Sequence, residues 1–219
     1  MVNPSPRAAP YHHGRLRDAL VQAATTLIEE GGPSKLSVRE AARRAGVSPG
    51  APFRHFPGRA ALITAVAEAA LGRLRAQIDE AVARADRHDP LAGFGALMVA
   101  VVRWSARNPA LFEALTDRRG LDLRTAPGLK RDLARAQALA IDLLTRAGAR
   151  GILRSGDLFE QVLAARALAL GLARLHIDRG LAEWGVDDKA AEQVMVRTMT
   201  HFLRGLAAAP DRHGFTPGP

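Results

Sequence analysis

Residues 36–62 read LSVREAARRAGVSPGAPFRHFPGRAAL, and the middle of this stretch breaks a helical pattern that holds on both sides. Ser37 and Glu40 have the S-x-x-E form of a capping box, which starts a helix at Ser37. Val38, Ala41, Ala42 and Ala45 share one face, leaving Arg39, Arg43 and Arg44 outside. Gly46 can take a positive φ and turn the chain. Ser48 suits the N-cap of the next helix, and Pro49 its first position. Pro52 deletes a helix donor, and its ring crowds the Ser48 carbonyl. The expectation is a short, partly irregular helix from Pro49 to His55.

Working outward, Leu16, Leu20, Ala24, Leu27 and Ile28 recur at helical spacing, predicting a helix over 13–30 that Gly31-Gly32 stops. After Pro57-Gly58 a long helix is predicted over 59–84, with Leu62, Val66, Leu74 and Ile78 on its apolar side. Two short helices around a glycine turn, backed by a third, make a helix-turn-helix, whose second helix enters the major groove of DNA. An ordinary helical hairpin has the same pattern.

The remainder predicts an all-α chain, with helices at 90–107, 109–118, 128–148, 157–179 and 187–207. Gly and Pro mark the breaks, and no run alternates as a half-buried strand does. The division expected is an arm at 1–10, a helix-turn-helix domain at 11–58, a larger helical domain at 59–207, and a tail at 208–219.

The chain has 219 residues and a net charge of +9. Within residues 1–60, nine basic residues stand against four acidic ones, leaving +5 in about a quarter of the length. An anion-binding surface therefore belongs at the N-terminal end. With no cysteine, disulfides and thiolate metal sites are excluded. No secretion signal is apparent. The apolar run LAGFGALMVAVV, residues 91–102, is too short for a bilayer and suits a buried helix. A cytoplasmic protein is expected, with no metal, no cofactor and no membrane partner. No nucleophile elbow, phosphate loop or H-x-x-x-H spacing supports an enzyme.

YHHGRLRDALVQAATTLIEEGG followed by LSVREAARRAGVSPGAPFRHFPGRAALITAVAE resembles the DNA-binding domain of the TetR/AcrR family of bacterial transcriptional repressors, over about residues 12–70. The resemblance implies a homodimer on a palindromic double-stranded operator, with a C-terminal helical domain that binds a small-molecule effector. It places the DNA-binding surface at Ser37, Arg39, Ser48, Pro49, Gly50, Ala51, Phe53, Arg54, His55 and Arg59. Gly50 and Ala51 are small enough to let the backbone near the bases, and Ala51 can touch a thymine methyl. Phe53 stands where the family usually has tyrosine, so one phenolic hydroxyl is missing. Arg54 can reach phosphate or a guanine edge. Arg39 matches a guanine-reading position; Ser37 and His55 match phosphate-contacting ones. Arg59 replaces the usual lysine and keeps its charge for phosphate. Phe56 is expected in the core.

In the larger domain, a ligand pocket is expected around Phe94, Met98, Val101 and Trp104, bounded by Phe112, Leu115 and His176, for a largely apolar effector. Residues of these types are more often plain core than ligand-contacting. By resemblance, the last two helices pair with their copies into a four-helix bundle, placing Arg166, Met195, Met199, Phe202 and Leu206 at a dimer interface. ARALALGLARL, residues 165–175, resembles the WHG-type C-terminal class at Gly171 and its flanks, with Arg166 and Leu170 at the tryptophan and histidine places. The alternative function is a helical small-molecule-binding protein without specific DNA binding.

Overall fold

The computed structural model describes residues 13–117, 120–122 and 126–208. The expected arm and the tail from 209 onward lie outside the described residues. The elements run α1 (His13–Gly31), a 3-10 turn (Pro33–Lys35), α2 (Val38–Arg44), a second 3-10 turn (Ala51–Arg54), α3 (Arg59–Arg84), α4 (Pro90–Arg107), α5 (Pro109–Thr116), α6 (Pro127–Ala149), α7 (Leu158–Ile177), a third 3-10 turn (Gly180–Trp184) and α8 (Asp188–Arg204). The all-α expectation holds among the described residues.

Local chemistry sets the boundaries. Asp89, Asp157 and Asp187 each turn a carboxylate onto the free amides opening α4, α7 and α8, with Asp157 reaching Phe159 N–H at 2.7 Å. The last helix stops at Arg204 rather than 207. Beyond it the chain forms an antiparallel bridge, in which Arg154 N–H donates to the Leu206 carbonyl at 2.8 Å.

The apolar helix α4 is central, as its composition requires, and packs against α3, α6, α7 and α8. Phe94, Val102 and Trp104 are sealed in this core. The short α5 bridges two regions. It packs on α3 and α7, and also on α1 and the Pro33–Lys35 turn. The segment after α5 is pinned to α3: buried Thr64 accepts from the Asp122 amide at 3.0 Å while donating to the Ala60 carbonyl at 2.7 Å.

Candidate nucleic-acid interface

Half of the expected capping box forms: Ser37 is the N-cap of α2, and its Oγ accepts from Glu40 N–H at 3.5 Å, while the Glu40 carboxylate turns to Arg43 and Arg44 instead of the Ser37 amide. Oγ keeps its own proton to donate outward from an exposed position. Val38, Ala41 and Ala42 are buried against α1. Gly46 turns the chain with φ 69°.

The next element departs from the expected helix over 49–55. It is a 3-10 turn from Ala51 to Arg54, flanked by Gly50, so Ser48 and Pro49 precede it rather than capping and starting it. Pro52 supplies the reason. An α-helix would send the amide of residue 52 to the Ser48 carbonyl, and proline has none. Ala51 N–H takes that carbonyl at 3.0 Å, one residue earlier, which is 3-10 bonding. Pro52 is buried, so its ring serves the core and the exposed side chains come from its neighbours. Its own carbonyl accepts from both His55 and Phe56 amides, at 2.9 and 2.8 Å.

Ser48, Pro49 and Gly50 are exposed, as are Phe53 (52 %) and Arg54; Ala51 and His55 are half-buried. Phe56 is buried beneath them, with the Arg17 guanidinium 5.6 Å from its ring centre. The core role expected of Phe56 holds.

The arginines divide in a way their sequence positions do not disclose. Arg43 is held by Glu40 through two hydrogen bonds, at 2.8 and 2.6 Å. Arg44 pairs with both Glu30 and Glu40. Donation by Arg43, reinforced by Arg44, lowers the Glu40 carboxyl to about 2. Arg39 and Arg54, both exposed, carry no ion pair or hydrogen bond among the described residues. Arg59 is engaged differently from the expectation. Its Nε donates to the Leu36 carbonyl at 3.0 Å and a terminal nitrogen donates to the Pro33 carbonyl at 2.6 Å. It staples the start of α3 to the turn before α2.

Elsewhere the structure corrects two groups of expectations. Phe94, Met98, Trp104 and Leu115 are buried core rather than the walls of an accessible pocket, and Val101 is half-buried. Trp104 packs on Phe112 with ring centres 6.3 Å apart. His176 Nε2 lies 3.2 Å from the Ala106 carbonyl, tying α7 to the end of α4. An open cleft lies between α5 and α7, and of the expected lining only Phe112 borders it.

The second correction concerns α8. Met195 and Met199 are fully buried within the subunit and Leu206 nearly so, so none is available to a second copy. The apolar stripe was read correctly, but its own chain covers it. Apart from Phe53 and Ile141, the large apolar side chains exposed among the described residues are on α7 and just beyond: Phe159 (66 %), Leu163 (50 %), Leu175 and Trp184 (80 %). Arg166 is exposed on the same helix, and Phe202 is half-buried. The signal for this face was the 159/163 spacing beside Ala164 and Ala167, an i, i+4 pair on α7.

Among the described residues no helix is long and apolar enough to cross a membrane, and no cluster of three or more acidic or imidazole side chains is placed to hold a metal.

Residues 20–66 match the family described as bacterial regulatory proteins, tetR family, and residues 94–202 match a tetracyclin repressor-like C-terminal domain. The second match contains the 165–175 stretch. A solved protein of unknown function from Rhodococcus sp. RHA1 is similar at 32 % identity and a TM-score of 0.73, with 92 % of this chain and all of that one covered. The fold is shared with the ketosteroid transcriptional regulator KstR2 of Mycobacterium tuberculosis, at 19 % identity, TM-score 0.64, and 93 % and 100 % coverage. A nucleoid occlusion factor, SlmA, of Vibrio campbellii is 30 % identical over 105 residues, 46 % of this chain; the chain spans about half the length of that curated relative.

Proposed function

Because the chain belongs to the tetR family of bacterial regulatory proteins, we propose that it is a DNA-binding transcriptional regulator, a repressor that binds a palindromic operator as a homodimer and is released by a small effector. It is read as a regulator and not an enzyme, acting in the cytoplasm. Residues 11–58 form the DNA-binding domain and residues 59–207 the effector and dimerisation domain.

One observation carries the reading of the DNA surface. Arg39 and Arg54 are exposed, uncommitted cations that flank the small Gly50–Ala51 pair in the sequence, while Arg43 and Arg44 are neutralised by acids. A groove-facing surface needs both features: charge to hold phosphate or a guanine edge, and small residues where backbone approaches bases. Ser37 and His55 add polar contacts at the rim. Phe53, exposed and without a hydroxyl, contributes apolar contact to sugar or base. Arg59 acts by fixing the frame that presents these groups.

For the dimer we assign the α7 face with Phe159 and Leu163, joined by Arg166 and the partly exposed Phe202, in place of the buried methionines. Two subunits so joined would present their Ala51–Arg54 turns to half-sites about one helical turn, 34–36 Å, apart.

The decisive experiment is a band shift with the DNA flanking the protein's own gene, run as a salt series. Tight binding to one palindrome, with affinity falling steeply as salt rises, is the expected outcome. A folded dimer that prefers no sequence would instead favour the helical binding-protein reading.

A further inference from the structure

The cleft between α5 and α7 has a volume of about 680 Å³, within the range of small-molecule sites. Phe112, Leu170 and Ile177 give it apolar walls, and Gly171 leaves its α7 side open. Its charges are unequal. Arg174 is already bonded to Asp178 at 2.6 Å, and Asp117 at the rim is engaged as well. Glu113, half-buried on α5, has no hydrogen-bond or ion-pair partner for its carboxylate among the described residues. An apolar cleft with one uncommitted carboxylate complements an apolar body carrying one positive charge. We propose that this cleft binds an amphipathic monocation, its apolar part over Phe112, Leu170 and Ile177 and its charged head on Glu113.

The position of Glu113 gives such binding a route to the DNA surface. Its Oε2 lies 4.0 Å from where a Cβ on Gly32 would stand. Gly32, at φ 78°, forms the joint between α1 and the Pro33–Lys35 turn, and Arg59 holds that turn through the Pro33 and Leu36 carbonyls. Because α5 itself packs on α1 and on the Pro33–Lys35 turn, a cation that shifts Glu113 and its helix would act on the joint that sets α1 and α3 relative to α2. Only this consequence for DNA rests on the regulator reading; the binding itself does not.

The test uses the full-length chain and three ten-carbon probes below their micelle concentrations: decyltrimethylammonium, decanoate and decanol. Calorimetry without DNA should show the cation binding about tenfold or more tighter than either of the others. Glu113→Gln should erase that preference and leave decanol affinity unchanged. Gly171→Leu, at a position where an added Cβ meets nothing within 4 Å, should weaken all three by filling the cleft. Equal binding of the three probes, no binding of the cation, or an unchanged preference in Glu113→Gln would overturn the proposal. Operator binding by the unliganded protein is measured separately. Its loss would sink the regulator reading and leave the cation site standing; its presence with no cation binding would do the reverse.

Discussion

Arg59 and Leu36 are joined by a 3.0 Å hydrogen bond from the guanidinium to the backbone carbonyl, and the same side chain spans to Pro33 at 2.6 Å. Across twenty-three residues, one arginine ties the start of α3 to the turn that precedes α2.

Arg59→Ala should therefore act through structure first. Two carbonyls lose a charged donor at a partly exposed site, which costs about 1–2 kcal/mol of stability in a urea melt. Operator affinity should drop with it. The slope of log affinity against log salt should stay near that of the wild type. A slope reduced by about one unit in a protein of unchanged stability would assign Arg59 to a phosphate instead.

Arg39 and Arg54 should separate from Arg43 in binding assays. Arg39→Ala should relax preference at one base position, at about 1–3 kcal/mol. Arg54→Ala should weaken either all sequences alike, as for phosphate, or one guanine, as for a base edge. Arg43→Ala should change little, since Glu40 already occupies that cation. A larger loss for Arg43→Ala than for Arg39→Ala, measured on the same operator, would invert the assignment.

Glu40 links acid stability to DNA affinity. Its carboxyl sits at about 2 in the folded chain, against 4.5 for the free group, because Arg43 and Arg44 donate to it. A depressed folded value means that its contribution is complete above pH 4.5 and fades as pH falls toward 2. In an acid titration followed by circular dichroism, Glu40→Gln should flatten the part of the stability loss that falls in that window. The same variant frees Arg43, while Arg44 keeps Glu30 at 2.7 Å, so binding to random duplex should tighten and its salt slope steepen by about one unit. A parent and variant with identical acid curves would remove Glu40 from this role.

The two apolar helices at the C-terminal end should respond oppositely. Leu163→Asp places a charge on an exposed face and should leave the subunit folded but monomeric by light scattering, with operator binding lost. Met199→Ala opens a cavity in the subunit core and should cost about 2–5 kcal/mol. Its dimer should persist at a temperature where the protein is folded. Dimers that survive Leu163→Asp would place the contact away from α7.

Much of this molecule was legible from its residues. Helix positions followed from apolar spacing and from Asp, Ser, Gly and Pro at the breaks, because these are local effects. The helix-turn-helix could be read because the capping box and the Gly46 turn are local as well. What escaped is decided by partners distant in sequence. Nothing near Arg59 announces the Pro33 and Leu36 carbonyls, and nothing near Arg44 announces Glu30. Met195 and Met199 form a stripe whose period says that it is covered, but not by which chain. Phe94 and Trp104 likewise show as apolar, and apolar composition does not distinguish a filled core from a pocket wall. Pro52 was recognised as incompatible with a regular helix; that the chain would answer with a 3-10 turn and bury the ring required the packing around it.

The buried hydroxyl of Thr64 gives a proton to Ala60 and takes one from Asp122. Only serine or threonine can do both at that length. Evolution of the segment after α5 is thus tethered to a position on the long helix more than fifty residues earlier. A lineage that loses the oxygen there must also refold the crossing chain, so drift at the two places should be correlated rather than independent.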